Sequence, residues 1–204
     1  MKRTILTGAT LASLVLFVAG CITTRVRVYQ DPSFSTTQLS FIAVLPLQNT
    51  RLGPQVAIDL NRGVVQELSR RNPNLRIMGP AEAQEKLSSA GLIESYSQFL
   101  RDYGTSGLLN KAVLMKLGDA LCVDAVLQGD ISQLEQQDGV YGYIRAYTKL
   151  TLRYSVISLK SGVVLWESSV TVKKQTTTLG KAPEIEEVVP SAQSTLIEQM
   201  PEFH

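Results

Sequence analysis

Few residues of this chain could carry chemistry, and the most informative of them is Cys21. The cysteine follows the small residues 18–20 (VAG), which end an uncharged run. Lys2 and Arg3 precede an apolar stretch over residues 11–19, which is shorter than the about 20 residues that a transmembrane helix needs. A positive start, a short apolar stretch and small residues before a cut are typical of a secretory signal peptide.

The segment VAGC also resembles the lipobox of bacterial lipoproteins. That resemblance implies that Cys21 receives a diacylglyceryl group, becomes the first residue after cleavage and carries several acyl chains such as palmitate. Two or more chains anchor a protein stably in a bilayer, whereas one binds marginally. In a bacterium with two membranes, Ile22 rather than Asp after the cysteine favours the outer membrane. An uncleaved anchor and an ordinary signal peptide with a chance cysteine are the alternatives.

The residue types that catalysis requires are scarce. His204 is the only histidine and the last residue, so the chain cannot assemble a zinc site from His and Cys ligands. Ser106, in YGTSGLL, is not in a nucleophile elbow and has no internal histidine to activate it. The sequence contains neither a Walker loop nor a GxGxxG motif. We therefore expect no enzymatic activity, no cofactor and no metal.

Three further polar residues suggest structural roles. Cys122 lies between apolar neighbours in DALCVDAVLQG, which predicts a buried small side chain rather than a reactive thiol. Asp124 and Asp130 flank the start of a predicted strand, and we interpret them as solvated turn residues.

Aromatic residues provide the candidate contact surface. Tyr141, Tyr143 and Tyr147 alternate at the beginning of a long predicted strand, on the face opposite to Leu150 and Leu152. We predict that this stripe, together with an open sheet edge, contacts another protein or a second copy of the chain. The alternative is that a terminal helix covers the stripe. The single tryptophan, Trp166, is predicted to lie in the core.

Size and charge limit the classes of function. Removal of residues 1–20 from the 204-residue chain leaves 184 residues, enough for one domain with a sizeable core. Loss of Lys2 and Arg3 reduces the 20 basic residues to 18, which equals the number of acidic ones. A chain near neutral charge has no basic face that would favour nucleic acid as a partner.

Hydrophobic periodicity predicts the elements that position these residues. The expected order is β-α-β-α-α-α-β-β-β, which indicates an α+β fold. We predict a mixed sheet with a C-terminal antiparallel three-strand meander and helices packed on one side. The predicted organisation is a signal peptide at 1–20, an acylated cysteine and tether at 21–38, an α+β domain at 39–174, and a linker with a short C-terminal helix or tail at 175–204. Ser191 is the expected cap of that helix.

Several phrases resemble the family of the curli-secretion lipoprotein CsgG and the amino-terminal domain of TolB, the Tol-system propeller protein. They are FIAVLPLQNT, LGDALCVDAVLQGDI and YSVISLKSGVVLWE, and the resemblance spans residues 39–174. Members are mostly periplasmic and act through protein contacts, and some form outer-membrane rings in secretion or polysaccharide export. A penicillin-binding-protein activator lipoprotein shares the fold class.

The resemblance implies a non-catalytic scaffold or accessory subunit in envelope assembly, secretion or polysaccharide export. It would be anchored to the periplasmic face of the outer membrane by Cys21, with envelope proteins as partners and a homo-oligomeric ring as one arrangement. A monomeric regulator docking on a peptidoglycan synthase is the alternative, and a small-ligand binding domain is a third. No pore is expected, because Lys149, Arg153 and Ser155 occupy the second face of the long strand and no spare hairpins are present.

Overall fold

The structure is a computed structural model that describes residues 21–47, 52–140, 144–176 and 180–203. Its strands are β1 (Ile22–Gln30), β2 (Phe41–Val44), β3 (Arg76–Met78), β4 (Ala125–Gln137), β5 (Tyr147–Ser158) and β6 (Val164–Gln175). Its α-helices are α1 (Pro54–Arg71), α2 (Pro80–Ser89), α3 (Ile93–Ser106), α4 (Lys111–Leu121) and α5 (Val189–Glu198). Within the described residues, no helix is long and apolar enough to cross a membrane.

The six strands form one mixed sheet in the order β1-β6-β5-β4-β2-β3. Strands β1, β6, β5 and β4 pair antiparallel, and β2 runs parallel to both β3 and β4. Parallel neighbours need crossover connections. Helix α1 connects β2 to β3, and α2 to α4 carry the chain from β3 to β4 on the other side of β2. The predicted α+β class and the C-terminal meander β4-β5-β6 are therefore confirmed.

Two apolar clusters lie on opposite faces of the sheet. In β2, Ile42 and Val44 pack with α1 and α5, while the alternate residues Ala43 and Leu45 pack with α2, α3 and α4. Alternation along a strand separates the two clusters, since successive side chains point to opposite faces. The prediction of helices packed on one side holds for α2, α3 and α4, and the structure adds α1 and α5 on the other face.

The first cluster fills the space between the meander and helices α1 and α5. Leu150, Leu152 and Tyr154 of β5 are fully buried there, and so is Trp166 of β6, as predicted. Gly129 lies opposite Tyr154 in the register, and a Cβ at position 129 would stand 2.5 Å from the Tyr154 ring. Glycine is required at this point because only a missing side chain lets the ring lie against the strand.

Helix α1 forms where the sequence predicts it. Pro54 occupies its first turn, where the missing N–H costs no hydrogen bond. Leu60, Val64 and Leu68 recur at helical spacing and form its buried stripe. The helix ends at Asn72, whose side-chain amide donates to the carbonyl of Leu68, one of the carbonyls left free at the helix end.

The segment predicted as a tether is part of the folded body. Residues 22–30 pair with β6 over nine positions, and a 3₁₀ turn at Pro32–Thr36 buries Phe34. The alternation of Val26 and Val28 already indicates an edge strand, but the pairing extends over the whole segment because the 12-residue β6 offers an edge longer than the nine residues of β1. The tether assignment of residues 22–38 is therefore wrong.

The C-terminal segment is also anchored to the domain. Helix α5 begins at Val189, with Pro190 in its first turn, so Ser191 lies inside the helix and does not cap it. Ala192 and Leu196 pack into the first cluster against β5 and β6. The terminal helix is present as predicted, but it forms part of the core.

Candidate functional site

Cys21 is exposed and lies directly before β1. Its carbonyl accepts a hydrogen bond from the backbone N–H of Gln175 at 3.1 Å, which continues the β1–β6 ladder by one more step. The thiol is accessible for modification, and residues 1–20 lie outside the described part of the chain. The signal peptide and the acylation of Cys21 therefore stay predictions.

Only one member of the predicted tyrosine stripe belongs to the described residues. Tyr147 is half-buried at the start of β5, on the face opposite to Leu150, and Lys173 Nζ lies 3.9 Å from its ring centroid. Tyr141 and Tyr143 lie outside the described residues. Helix α5 packs on the other face, so this helix does not cover Tyr147.

One side of the sheet carries a partly exposed surface that we call the polar face. Cross-strand pairing aligns Arg25, Thr171, Thr151 and Gln133 in one row across β1, β6, β5 and β4. Neighbouring rows contain further polar groups, because every second residue of these strands points the same way. The polar face comprises Thr23, Arg25 and Arg27 on β1, Ser169, Thr171 and Lys173 on β6, Lys149, Thr151 and Arg153 on β5, and Asp130, Gln133 and Glu135 on β4.

A network of charged residues lies where the polar face meets α3. Arg153 donates two hydrogen bonds to Asp130, from Nε at 2.8 Å and from Nη2 at 3.0 Å. Glu167 accepts hydrogen bonds from Ser155 Oγ at 2.8 Å and from the Tyr103 hydroxyl at 3.3 Å, and Arg153 Nη1 lies 4.0 Å from its carboxylate. Four elements meet in these contacts, so the network joins α3 to the sheet.

Electrostatic effects on this network follow from its partial burial. The pKa of Arg153 is raised above its ordinary value, chiefly by the hydrogen bond to Asp130. The pKa of Tyr103 is also raised, first by burial and then by the charge of Glu167. Both shifts keep the two groups in their usual charge states at neutral pH, which is typical of a structural network rather than of an acid–base catalyst.

The β1 side of the polar face forms two adjoining surface cavities of about 400 and 500 Å³. Arg25 and Lys149 line both, Arg27 and Lys173 line one each, and Glu135 contributes the acidic group. Among the described residues, no carboxylate lies within ion-pairing distance of Arg25 or Arg27. This side of the polar face therefore has a positive potential toward solvent.

The cations, hydroxyls and amides of the polar face are groups suited to binding. Within the described ranges, no group of three His, Cys, Asp or Glu side chains could hold a metal ion. Ser155 Oγ is hydrogen-bonded to a carboxylate rather than to a stronger base, and Ser106 Oγ donates to the carbonyl of Asp102 at 2.7 Å in the last turn of α3. Neither serine has the base that nucleophilic catalysis requires.

Three residues that the sequence assigned to minor roles have different environments. Asp130 lies within β4 and pairs with Arg153, so it is not a turn residue. Asp124 accepts three hydrogen bonds of 2.9 Å, from the N–H and hydroxyl of Ser40 and the N–H of Phe41, and thereby joins the start of β4 to β2. The spacing of six residues between Asp124 and Asp130 does not indicate these contacts, because the hydrogen-bond partners of both carboxylates lie far away in the sequence.

Cys122 is exposed, and the prediction that it is buried is wrong. It ends α4 in the left-handed conformation with φ of 54°, and its N–H donates to the carbonyl of Gly118. That change of backbone direction turns the side chain away from the apolar stripe that Leu117 and Leu121 form.

No family model matches the chain, and no curated protein is similar to it. Among solved structures, lipoprotein GNA1162 from Neisseria meningitidis is 14% identical with a TM-score of 0.51, over 78% of this chain and 96% of its own. A PelC dodecamer from Paraburkholderia phytofirmans is 13% identical with a TM-score of 0.49, over 86% and 95%. The C-terminal domain of LpoB from Salmonella enterica is 12% identical with a TM-score of 0.39, over 66% and 84%.

Sequence identities this low show similarity of fold and give no information on function. The arrangement of the six-stranded mixed sheet and its helices is similar to that of GNA1162. The resemblance of residues 39–174 to CsgG and TolB stays a prediction.

Proposed function

We propose that this protein is a periplasmic lipoprotein, acylated on Cys21 and anchored in the outer membrane, that acts as a non-catalytic scaffold or accessory subunit in envelope assembly, secretion or polysaccharide export. The observation that carries the proposal is the position of Cys21. The cysteine follows a signal-peptide pattern in the sequence and is exposed at the free end of an edge strand, where a lipid can leave the domain without disturbing the core.

The fold supports the proposal in a more general way. GNA1162, which shares the fold, is itself described as a lipoprotein. The polar face offers cations, hydroxyls and amides for recognition, and β1 leaves its outer edge available for a further strand. A chain with such surfaces acts by contact with other macromolecules.

Metabolic labelling with a palmitate analogue tests the anchor. The wild-type protein should incorporate the label, and the Cys21→Ser variant should not. Cys122→Ser is the matched control, because it removes the other exposed thiol and should leave the labelling unchanged. Equal labelling of the wild type and Cys21→Ser, or no labelling of either, would refute the anchor.

The size of the assembly tests the scaffold role. A ring predicts that the detergent-extracted protein has a mass several times that of one chain beginning at Cys21. A monomeric mass would favour the regulator of a peptidoglycan synthase. Crosslinking in cells would then show whether the neighbour is an export apparatus or a synthase.

The tyrosine stripe is the proposed contact surface. Replacing Tyr143 and Tyr147 with Ser should abolish the association and preserve the far-ultraviolet circular dichroism of the fold. An unchanged mass and unchanged crosslinks in this variant would reject the stripe but not the anchor.

A further inference from the structure

The distance between the proposed lipid and the folded domain is very short. Ile22, the residue after Cys21, already pairs with Lys174 of β6, and the Cys21 carbonyl is itself hydrogen-bonded to Gln175. One extended residue spans at most about 3.6 Å, whereas a free tether over residues 22–38 would have reached about 60 Å. An acylated Cys21 would therefore hold this end of the sheet at the bilayer surface.

Other parts of the chain meet at the same end of the sheet, which we call the Cys21 end. The β4–β5 connection turns there, since Gln137 pairs with Tyr147 at the end of the ladder. Beyond that pair, Val140 and Ile144 form an isolated antiparallel bridge, and Gly139 N–H donates to the carbonyl of Gly180. Among the described residues, the Cys21 end thus consists of the start of β1, residues 138–140 and 144–146 between β4 and β5, and residues 180–182.

Apolar side chains are exposed at this end of the sheet. Ile22, Val140 and Ile144 are 49%, 52% and 39% exposed. Val140 and Ile144 lie between β4 and β5, and the sheet brings them to the same end as Ile22 of β1. Apolar groups next to a lipid anchor add to membrane binding in proportion to the area they bury among the acyl chains.

Cations accompany these apolar groups. Arg145 and Lys181 are exposed next to Ile144 and Gly180, and Lys173 lies over the Tyr147 ring. Basic residues close to a membrane are attracted to anionic headgroups, and their aliphatic stems lie along the interface. Asp138 and Glu187 also lie at this end, where Asp138 accepts a hydrogen bond from the Ala182 N–H and Glu187 pairs with Lys174. Apolar side chains next to Arg145 and Lys181 match the chemistry of an anionic lipid surface.

We infer that the Cys21 end is a membrane-docking surface, on which Ile22, Val140 and Ile144 enter the headgroup region of the bilayer that holds the acyl chains. The inference rests on the proposed acylation of Cys21. It orients the domain: the turn between β5 and β6, at the opposite end of the meander, points away from the membrane together with helices α2 to α4, which pack near that end.

Fluorescence quenching in vesicles tests this orientation. The full acylated protein is reconstituted into vesicles of phosphatidylethanolamine and phosphatidylglycerol. Acylated Cys21 is a thioether and does not react with thiol reagents. Cys122 is replaced by Gly, so that a cysteine introduced elsewhere is the thiol that reacts with the fluorophore. An environment-sensitive fluorophore is attached to Val140→Cys or to Ile144→Cys. Val163→Cys is the matched control, since Val163 is similarly exposed, at 38%, next to the opposite turn.

The expected result is at least a twofold loss of emission at positions 140 and 144 with shallow spin-labelled lipids, together with a shift to shorter wavelength. Position 163 should show neither effect. Flotation of the vesicles is measured on the same samples. Protein that fails to float refutes the acyl anchor and hence the proposed function. Protein that floats without quenching at positions 140 and 144 leaves the anchor intact and overturns the docking surface.

Hydrogen exchange of the β1 amides gives a second measurement. Docking predicts that β1 stays paired with β6 in the vesicle-bound protein, so its hydrogen-bonded amides exchange slowly. Fast exchange would show that β1 has separated and serves as a tether, which contradicts the inference.

Discussion

In β5, Leu150, Leu152 and Tyr154 lie in the core beneath α1 and α5, whereas their neighbours Thr151 and Arg153 belong to the polar face. The same strand thus supplies two surfaces with different physics. The apolar face is stabilised by removal of hydrocarbon from water. This contribution requires close packing but no particular orientation of the side chains. The polar face is stabilised by directed hydrogen bonds and ion pairs, whose net contribution is smaller because water competes for each group.

The largest expected effect comes from the apolar face. Leu152→Ala should lower the free energy of unfolding by about 2–5 kcal/mol, since Leu152 is fully buried and the change leaves a cavity. Thr151→Ala, one residue away on the other face, is the control and should cost about 1 kcal/mol. Urea denaturation measures both. Equal losses would contradict the difference between the faces.

An intermediate effect is expected from the Arg153–Asp130 pair. Arg153→Met should cost about 1–3 kcal/mol, because it leaves the carboxylates of Asp130 and Glu167 near α3 without their cation. The loss is smaller than for a fully buried pair, since the side chains of Arg153 and Asp130 are 26% and 21% exposed. A double-mutant cycle with Asp130→Asn should give a favourable coupling of about 1 kcal/mol. A coupling near zero would show that the hydrogen bonds between Arg153 and Asp130 do not contribute to the free energy of unfolding.

Polar contacts should also make stability depend on pH, whereas apolar ones should not. Burial alone would raise the pKa of Asp124, but the hydrogen bonds from Phe41 and Ser40 lower it below its ordinary value of 3.8. A folded pKa below the unfolded one stabilises the protein fully above pH 3.8, and this contribution is lost as the pH falls through the lower, folded value. Asp124→Asn should therefore flatten the loss of stability measured below about pH 4. A parallel pH profile for wild type and variant would contradict this assignment.

The smallest effects compare single hydroxyls on the two faces. Within the described residues, the buried hydroxyl of Tyr154 has no hydrogen-bond partner, whereas the Thr171 hydroxyl lies 2.9 Å from that of Thr151. Tyr154→Phe should leave stability unchanged or raise it by up to about 1 kcal/mol, because it removes a desolvated group. Thr171→Val should lower stability by about 0.5–1 kcal/mol. Thermal unfolding measures whether each variant is more or less stable than the wild type. A loss of stability in Tyr154→Phe would show that the Tyr154 hydroxyl has a hydrogen-bond partner.

The sequence contains a strong signal for those features that repeat with a regular period. The α1 stripe of Leu60, Val64 and Leu68 and the alternation along β5 fix which residues face the core, because burial of apolar groups follows directly from periodicity. Trp166 and the meander follow from the same alternation.

Contacts between residues that lie far apart in the sequence could not be predicted from periodicity. Asp130 and Arg153 are 23 residues apart, and Asp124 and Ser40 are 84 apart, so neither contact appears in a local pattern. The alternation of Val26 and Val28 indicates a short edge strand, but the sequence does not show its partner, because Gln30 of β1 pairs with Trp166 of β6, 136 residues away.

By itself, the sequence determined the α+β class and predicts a processing signal that ends at Cys21, since both rest on short runs of apolar and small residues. Only the tertiary structure decided that Cys21 adjoins a paired strand, that helices cover both faces of the sheet, and that Ile22, Val140 and Ile144 share one end. The physical reason is that hydrophobic periodicity acts over a few residues, whereas strand order and register depend on which distant edges remain free to pair.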